Sequence, residues 1–279
     1  MSENISPTAH YTGYVWFAHG HSHRAFATRA GQFMYQALRA PNAAAHALGM
    51  PTLEGMLLAR HRLIDLRLQQ AIDAGEVSQI VEVACGLSPR GWRFRQRYGE
   101  AITYVEADLP GMLARKREVL ARLGGETAFH RTAEIDALAE AGPTSIAEIC
   151  DSLDGTRGTA IITEGLINYF DRATVEGMWR RFAGALARFP RGLYLSDLVL
   201  KQGNSTVFEI AFVRLLGMFV RGKLSLEFAD AEDTERALET NGLDGVVLDP
   251  RDFEFELPGI ERGGASRVRI LEAMPNASA

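Results

Sequence analysis

The chain has 279 residues, 47% of them hydrophobic and 23% charged, which is enough for one large domain with a sizeable core. Its 35 acidic residues outnumber its 30 basic ones, and apart from a short run at 90–97 the basic residues are dispersed. The composition therefore predicts no broad basic face and no nucleic-acid partner.

The chain shows no sign of export or of a membrane span. No stretch approaches the roughly 20 apolar residues of a spanning helix, and the N-terminus lacks a basic start followed by an apolar core. Cys85 lies in an apolar, strand-like run and Cys150 ends a helical pattern, so both are predicted to be buried thiols in a reducing compartment. We expect a cytoplasmic protein with no membrane partner.

Helices and strands alternate through the middle of the chain. The hydrophobic periodicity predicts helices at 56–74, 111–123, 145–153 and 172–189, an amphipathic piece after residue 86, and strands at 79–85, 101–107, 127–132, 159–163 and 192–198. Such alternation implies parallel βαβ units and a sheet covered on both faces. The predicted fold class is α/β, a Rossmann-like, doubly wound sheet.

Both ends of the chain depart from this repeat. A broadly apolar helix is predicted at 207–220, a charged one at 231–241, and closing strands at 245–248 and 267–271. The segment 1–55 and an insertion at about 201–226 lie outside the repeating unit. We expect them to form a helical cap over the open end of the sheet, while 56–279 form the main domain.

Ligands of open α/β sheets bind beyond the carboxyl ends of the strands, so residues directly after strands are candidates. Gly86 follows a strand and leaves the backbone bare for a ligand, although an ordinary turn glycine is the alternative. The next glycine is Gly91, so the G-x-G-x-x-G fingerprint of nicotinamide enzymes is absent.

Two carboxylates also follow predicted strands. Asp108 ends the second strand, where it could accept hydrogen bonds from the ribose hydroxyls of an adenosyl group or could cap the next helix. Glu164 comes directly after the apolar strand at 159–163. A charge there is costly unless it is paired or lies at the open end of the sheet, which favours a functional role.

Three strings carry a resemblance to a known family. QIVEVACGLSPRGWRF, TYVEADLPGMLARK and AIITEGLINYF occur in this order and resemble the leucine carboxyl methyltransferase family, including its TcmP-like bacterial polyketide O-methyltransferases. The resemblance covers roughly residues 57–198. It implies a class I methyltransferase that uses S-adenosylmethionine (SAM).

The resemblance also implies which residues contact SAM. It makes Ala84 and Gly86 the turn beside the methionine portion, Asp108 the ribose-binding carboxylate and Glu164 an acidic residue close to the cofactor. Arg60 matches an arginine that grips the SAM carboxylate, a role that suits a planar guanidinium. Arg62 is the fallback for this role, and Glu82, on the strand before the turn, completes the predicted cofactor-binding set with Asp136.

The chain departs from the family pattern at three positions. Ala84 stands where the family usually has glycine, which puts the first turn closer to the cofactor. Ser88 stands where many members carry an aspartate. The Asp-Leu pair that follows the third strand in the family aligns only loosely with 135–138, and on this alignment Asp136 would contact the adenine.

The sequence does not identify the methyl acceptor or a catalytic residue. A carboxylate acceptor is already ionised at neutral pH, whereas a phenol benefits from a positioned base such as a histidine. Tyr169, Asp197 and His130 lie close to predicted strand ends and could contact the substrate. For Tyr169 core packing is the alternative, and for Asp197 a helix cap.

The segment FAHGHSH places His19, His21 and His23 at alternate positions. Such histidines could bind zinc from one edge of an extended segment, but no cysteine or carboxylate cluster accompanies them, so we predict no metal site. A cap loop that faces the substrate is the favoured interpretation.

Three functions remain open at this point. The preferred one is an O-methyltransferase that acts on a carboxylate or phenolic hydroxyl of a small molecule, with a protein C-terminal carboxylate as the alternative acceptor. The second is another Rossmann enzyme such as an NAD-dependent oxidoreductase, which the missing glycine fingerprint disfavours. The third is a catalytically silent SAM-binding module.

Overall fold

A computed structural model describes residues 7–202 and 225–277 of the chain. The predicted helix at 207–220 and nearly all of the predicted cap insertion lie outside these residues. Within them, no helix is long and apolar enough to cross a membrane.

Seven strands form one sheet in the described residues. The strands are β1 Gln79–Val83, β2 Thr103–Asp108, β3 His130–Glu134, β4 Thr159–Thr163, β5 Gly192–Leu198, β6 Leu243–Leu248 and β7 Arg269–Pro275. Their order is β3-β2-β1-β4-β5-β7-β6, and only β7 runs antiparallel to its neighbours. The strand order reverses between β1 and β4, because β2 and β3 follow on one side of β1 and β4 and β5 on the other. Such a sheet binds its ligand at this point.

Helices cover both faces of the sheet, as predicted. They are α1 Pro7–Ala18, α2 Arg29–Ala47, α3 Leu53–Asp73, α4 Arg90–Tyr98, α5 Pro110–Ala121, α6 Ile146–Asp151, α7 Arg172–Leu186, α8 Ala231–Thr240 and α9 Arg262–Ala265. The helix predicted at 56–74 begins earlier, because the Thr52 side chain accepts a hydrogen bond from the Gly55 N–H and so caps α3. The predicted Rossmann-like fold class is confirmed.

Alternation along the strands separates two cores. Val81, Val83 and Val105 face α6 and α7, whereas Ile80 and Tyr104 face α3. Glu82 lies two residues after Ile80 and Glu106 two residues after Tyr104, so their side chains point to the same face of the sheet. The two glutamates lie opposite each other on β1 and β2. Both acidic side chains are therefore carried to the buried side that α3 covers.

The segment before α3 contains two helices that pack over this side of the sheet. A Cβ added at Gly13 of α1 would lie 3.5 Å from the Leu87 Cβ, so α1 lies against the loop that follows β1. The Trp16 ring stacks on the His61 ring of α3 with centroids 4.4 Å apart. The N-terminal segment therefore lies beside the ligand edge of the sheet.

Candidate active site

The loop after β1 is shaped by two residues with left-handed backbone. Gly86 has φ +51°, and a Cβ added there would meet nothing within 4 Å among the described residues. Ala84 has φ +54° and is the one residue other than glycine with positive φ in the described part of the chain. Holding an alanine in this conformation costs about 1–2 kcal/mol. The loop thus leaves open space beside Gly86, as close approach of a ligand requires.

Asp108 anchors this loop from the end of β2. Its Oδ2 accepts a hydrogen bond from the Gly86 N–H at 2.7 Å, and its Oδ1 accepts one from the Leu109 N–H at 2.7 Å. Burial raises the pKa of Asp108, although these two N–H groups oppose the shift. Leu109 occupies the cap position of α5, so the helix-cap alternative for Asp108 is wrong. Each carboxylate oxygen can accept a second bond, which leaves capacity for a ligand.

Arg60 of α3 bridges the carboxyl ends of β4 and β5. Its Nε lies 3.1 Å from the Glu164 Oε1, and one terminal nitrogen lies 3.2 Å from the Asp197 Oδ2. Asp197 also accepts the Gly165 N–H at 2.5 Å. Asp197 belongs to β5, so its interpretation as a helix cap is wrong. The two predicted residues Arg60 and Glu164 are in direct contact.

A second arginine, which the sequence analysis did not single out, lies beneath the first. The Arg90 side chain is fully buried, and its three nitrogens donate to Asp65, Glu82 and Glu164, each at 2.6 Å. Glu82 uses its other oxygen to accept the Tyr104 hydroxyl at 2.9 Å. Both Glu82 oxygens are thus engaged inside the protein, and its contact with the cofactor stays a prediction.

His61 joins the same cluster. Its Nδ1 lies 2.9 Å from the Glu164 Oε2. Burial alone would raise the pKa of Glu164, but His61, Arg90 and Arg60 hold it well below its ordinary range. Burial would also raise the pKa of Asp65, but His61, Arg90 and Arg93 lower it to about 2. Glu164 and Asp65 are therefore ionised at neutral pH, as partners of an arginine should be, whereas burial raises the pKa of Glu82 despite its contact with Arg90.

A neighbouring cluster supports the loop after β1. The Lys116 ammonium is buried, donates to the Ser88 carbonyl at 2.6 Å and pairs with Glu106. The other Glu106 oxygen lies 2.6 Å from the His130 Nε2. His130 is 5% exposed and starts β3, at the end of the strand opposite the ligand edge, so its interpretation as a substrate contact is wrong.

Two other predicted residues lie at the edge of the site. Asp136 is exposed after β3, and its Oδ1 accepts the Leu138 N–H at 2.9 Å, a local turn contact. Tyr169 ends the 3-10 helix Ile167–Tyr169, is half-buried and lies within electrostatic reach of Arg60. Their roles toward adenine and substrate stay predictions.

The three histidines of FAHGHSH do not form an extended edge. His23 caps the 3-10 helix Arg24–Phe26 through its side chain, whereas His19 and His21 line a cavity of about 640 Å³ between α2, α3 and the segment 258–261. His19 pairs through Nε2 with the Glu54 Oε1. Among the described residues, no group of three or more His, Cys, Asp or Glu is arranged to hold a metal ion.

Two solved structures share this fold over nearly their whole length. A Thermobifida fusca protein described as a "putative methyltransferase" aligns over 96% of this chain and 94% of its own with a TM-score of 0.65 and 13% identity. A DUF574 family protein from Streptomyces avermitilis aligns over 96% and 97% of the two chains, with a TM-score of 0.64 and 15% identity. At these identities the likeness concerns the fold alone.

Sequence similarity identifies the family. Residues 16–183 match the family model "Leucine carboxyl methyltransferase", so the chain belongs to this family. A "Putative S-adenosyl-L-methionine-dependent methyltransferase" from Mycobacterium sp. (strain KMS) is 36% identical over 137 residues, which cover 46% of this chain and 40% of that protein. The chain therefore aligns with less than half of this relative's length. The predicted family is confirmed.

The buried cluster around Arg90, which the sequence analysis missed, had a weak signal. Arg90 lies within the string QIVEVACGLSPRGWRF, and His61 and Asp65 lie four residues apart on the helix that carries Arg60. Charged residues on helices usually face solvent, so only the tertiary structure shows that these three are buried together.

Proposed function

We propose that this chain is a SAM-dependent O-methyltransferase that transfers a methyl group to a carboxylate or phenolic hydroxyl of a small molecule. One observation carries the proposal. The open Gly86 turn, the Asp108 carboxylate and the Arg60 guanidinium all lie at the carboxyl edge of β1, β2 and β4, which is where this fold binds its ligand.

These residues fit the chemical groups of SAM. The open space beside Gly86 can receive the methionine portion, Asp108 can accept bonds from ribose hydroxyls, and Arg60 can hold a carboxylate through two charge-assisted bonds. When bound, SAM supplies an electrophilic methyl group on a sulfonium. The protein then has to orient the acceptor and exclude water.

The position of the N-terminal segment suits the exclusion of water from the site. α1 lies against the loop after β1 through Gly13 and Leu87, and Trp16 covers His61, which contacts Glu164. We therefore include the segment 1–55 in the proposal as a cap that shapes the acceptor site.

Calorimetric titration with SAM and, separately, with NAD tests the cofactor assignment. We expect saturable binding of SAM and none of NAD. The D108A variant should weaken SAM binding about ten- to a hundredfold, because two hydrogen bonds to a charged group are lost. D244A, which removes an exposed acid of β6, is the matched control and should bind SAM normally.

Several outcomes would change the proposal. Absence of SAM binding would sink it, and unchanged affinity in D108A would remove the ribose assignment. Thermal unfolding of D108A must accompany the titration, because Asp108 also holds the Gly86 N–H. Release of S-adenosylhomocysteine with a leucine-terminated peptide, but with no small acid or phenol, would favour a protein acceptor. Binding without any release would indicate a silent module.

A further inference from the structure

The cavity between α2, α3 and the segment 258–261 contains arginines that its own acids do not neutralise. Arg39 of α2 and Arg62 of α3 both line it. We propose that this cavity is a second ligand site that binds an organic anion, whose carboxylate or phosphate group is held by Arg39 and Arg62. The inference goes beyond the proposed methyl transfer, because the cavity lies apart from the cofactor site.

The cavity lies on the face of α3 that points away from the sheet. Glu54, Leu58 and Arg62 line it at intervals of four residues, so they share one face of the helix. Leu57 and Ile64 lie on the other face and are buried in the core. None of the residues proposed to contact SAM lines the cavity, so the two ligands should bind independently. Arg62, the fallback for the role of Arg60, thus faces a different site.

The two acids of the cavity are engaged within the protein. Glu54 pairs through one oxygen with the His19 Nε2, and through the other it accepts a hydrogen bond of 3.4 Å from the Asn42 amide. Glu261 accepts the Gly264 N–H at 3.0 Å with one oxygen and contacts the hydroxyl that caps α3 with the other. Neither acid therefore pairs with an arginine of the cavity.

The two arginines keep most of their donors free. One terminal nitrogen of Arg62 donates to the Pro258 carbonyl at 3.0 Å, and its other N–H groups have no hydrogen-bond partner in the part of the chain that the structure describes. Arg39 is exposed and makes neither an ion pair nor a side-chain hydrogen bond with the described residues. Both guanidinium groups can therefore donate to the oxygens of one carboxylate or phosphate.

The electrostatics on the cavity side of α3 also favour an anion. Burial lowers the pKa of Arg62, with no carboxylate near enough to oppose the shift. Burial also lowers the pKa of His21 to about 4, and His61, Arg93 and Arg62 act in the same direction against the smaller effect of Asp65. Because Arg62 and His21 both line the cavity, a bound anion would offset the cost of burying their charged forms.

The size and the apolar surface of the cavity suit an organic anion better than a bare ion. Its volume of about 640 Å³ falls in the range of small-molecule sites. Tyr35, Leu58 and Ile260 provide apolar surface against which a ring or a short chain can pack. Inorganic phosphate could contact the arginines but would leave this surface uncovered, so we expect it to bind more weakly than an aryl phosphate.

The proposed ligand would connect the N-terminal segment to the main domain. Arg39 belongs to α2 of that segment, whereas Arg62 belongs to α3, so an anion bound to both arginines joins the two helices. A ligand that binds only the folded state stabilises it. We therefore expect saturation of the cavity to raise the Tm of the protein.

An NMR titration with probes that share one ring tests the class of ligand. The probes are phenyl phosphate, benzoate and the uncharged phenol. We expect saturable binding of at least one of the two anions and an affinity for phenol that is at least about tenfold lower, because phenol cannot form the charge-assisted bonds. The anion with the lower Kd identifies whether the site is built for a phosphate or for a carboxylate. Inorganic phosphate, as a fourth probe, should bind more weakly than phenyl phosphate.

Substitutions of the arginines locate the site. R39Q and R62Q should each raise the Kd of the tighter anion about ten- to a hundredfold, the usual effect of losing a hydrogen bond between charged groups. R62K keeps the charge without the planar fork and should recover part of the affinity. The matched control is R29Q, which removes an exposed arginine of α2 that does not line the cavity and should leave the Kd unchanged.

Thermal unfolding of each variant checks that the fold is retained. R62Q removes the bond to the Pro258 carbonyl and could lower stability. R39Q removes an exposed side chain that has no ion pair with the described residues, so it should unfold at the wild-type Tm and keeps the test decisive.

Four results would overturn the second site. These are no saturable binding of either anion, equal affinity for the anions and phenol, a wild-type Kd in both R39Q and R62Q, or displacement of the bound anion by saturating SAM. The last result would show that the two ligands share one site. Failure of the wild type to bind SAM would overturn the proposed function and leave the second site standing, because the anion titrations contain no cofactor.

Discussion

Replacing Arg90 with methionine tests whether the buried ionic cluster holds the site together. The Arg90 guanidinium is fully buried and lies 2.6 Å from each of Asp65, Glu82 and Glu164. R90M keeps much of the side-chain volume but leaves three carboxylates without their shared cation. Removing one partner of a buried ion pair costs about 3–5 kcal/mol. Since domains are stable by only about 5–15 kcal/mol, we expect R90M to lose at least about a fifth of the free energy of unfolding.

The pH dependence separates this charge effect from a packing defect. In the wild type, the lowered pKa values of Asp65 and Glu164 mean that their ionised forms stabilise the fold. This stability is present above the ordinary pKa values of 3.8 and 4.5 and is lost as the pH falls through the folded-state values. In R90M each of the three carboxylates loses a cation while its burial remains, so protonation is favoured, most of all at Glu82. The destabilisation by R90M should therefore be larger at pH 8 than at pH 5.

Urea unfolding of both proteins at these two pH values measures the effect. The control is R97M, because Arg97 is 55% exposed and its nearest acid, Asp73, is 3.9 Å away, so this change should cost less than about 1 kcal/mol. Adding E82Q to R90M removes one unpaired charge and should restore part of the loss. A penalty for R90M that matches R97M, or that does not depend on pH, would refute the reasoning.

Two further predictions concern backbone positions at the ligand edge. A84G should raise the free energy of unfolding by up to about 1 kcal/mol in urea titration, because glycine adopts φ +54° without strain; a lower stability would contradict this. G165A should weaken SAM binding in calorimetry, because its Cβ would lie 3.1 Å from the Arg60 guanidinium. The control G75A has a similar φ, +73° against +70°, and nothing within 4 Å, so equal SAM affinity in both variants would exclude the contact.

The sequence predicted those strands whose ends are set by local signals. The bounds of β4 and β5 match the prediction, because β4 is buried throughout and β5 is buried at six of its seven residues. β3 begins three residues later than predicted, at His130. The reason is a tight turn in which Thr127 and His130 exchange backbone hydrogen bonds of 2.7 and 3.2 Å. A threonine in an apolar stretch does not reveal such a turn.

The sequence predicted the site residues that directly follow strands, but not the ion pairs between residues on different elements. Asp108 and Glu164 follow strands, so their place at the ligand edge could be read from the pattern. The contact between Arg90 of α4 and Asp65 of α3 joins residues that are 25 positions apart, and each residue alone resembles a solvated helix charge. Periodicity contains no information on such pairs, because it describes one element at a time.

The three contacts of Glu164 suit a site in which Arg60 exchanges partners. Glu164 is held by Arg60, Arg90 and His61. If the Arg60 guanidinium turns to the carboxylate of a bound ligand, Glu164 keeps Arg90 and His61 and does not become an unpaired buried charge, which would cost several kcal/mol. Asp197, the other partner of Arg60, keeps the Gly165 N–H. Arg90 has no such freedom, because all three of its nitrogens are engaged inside the protein. We therefore expect Arg60 to contribute mainly to binding and Arg90 mainly to the stability of the structure that positions it.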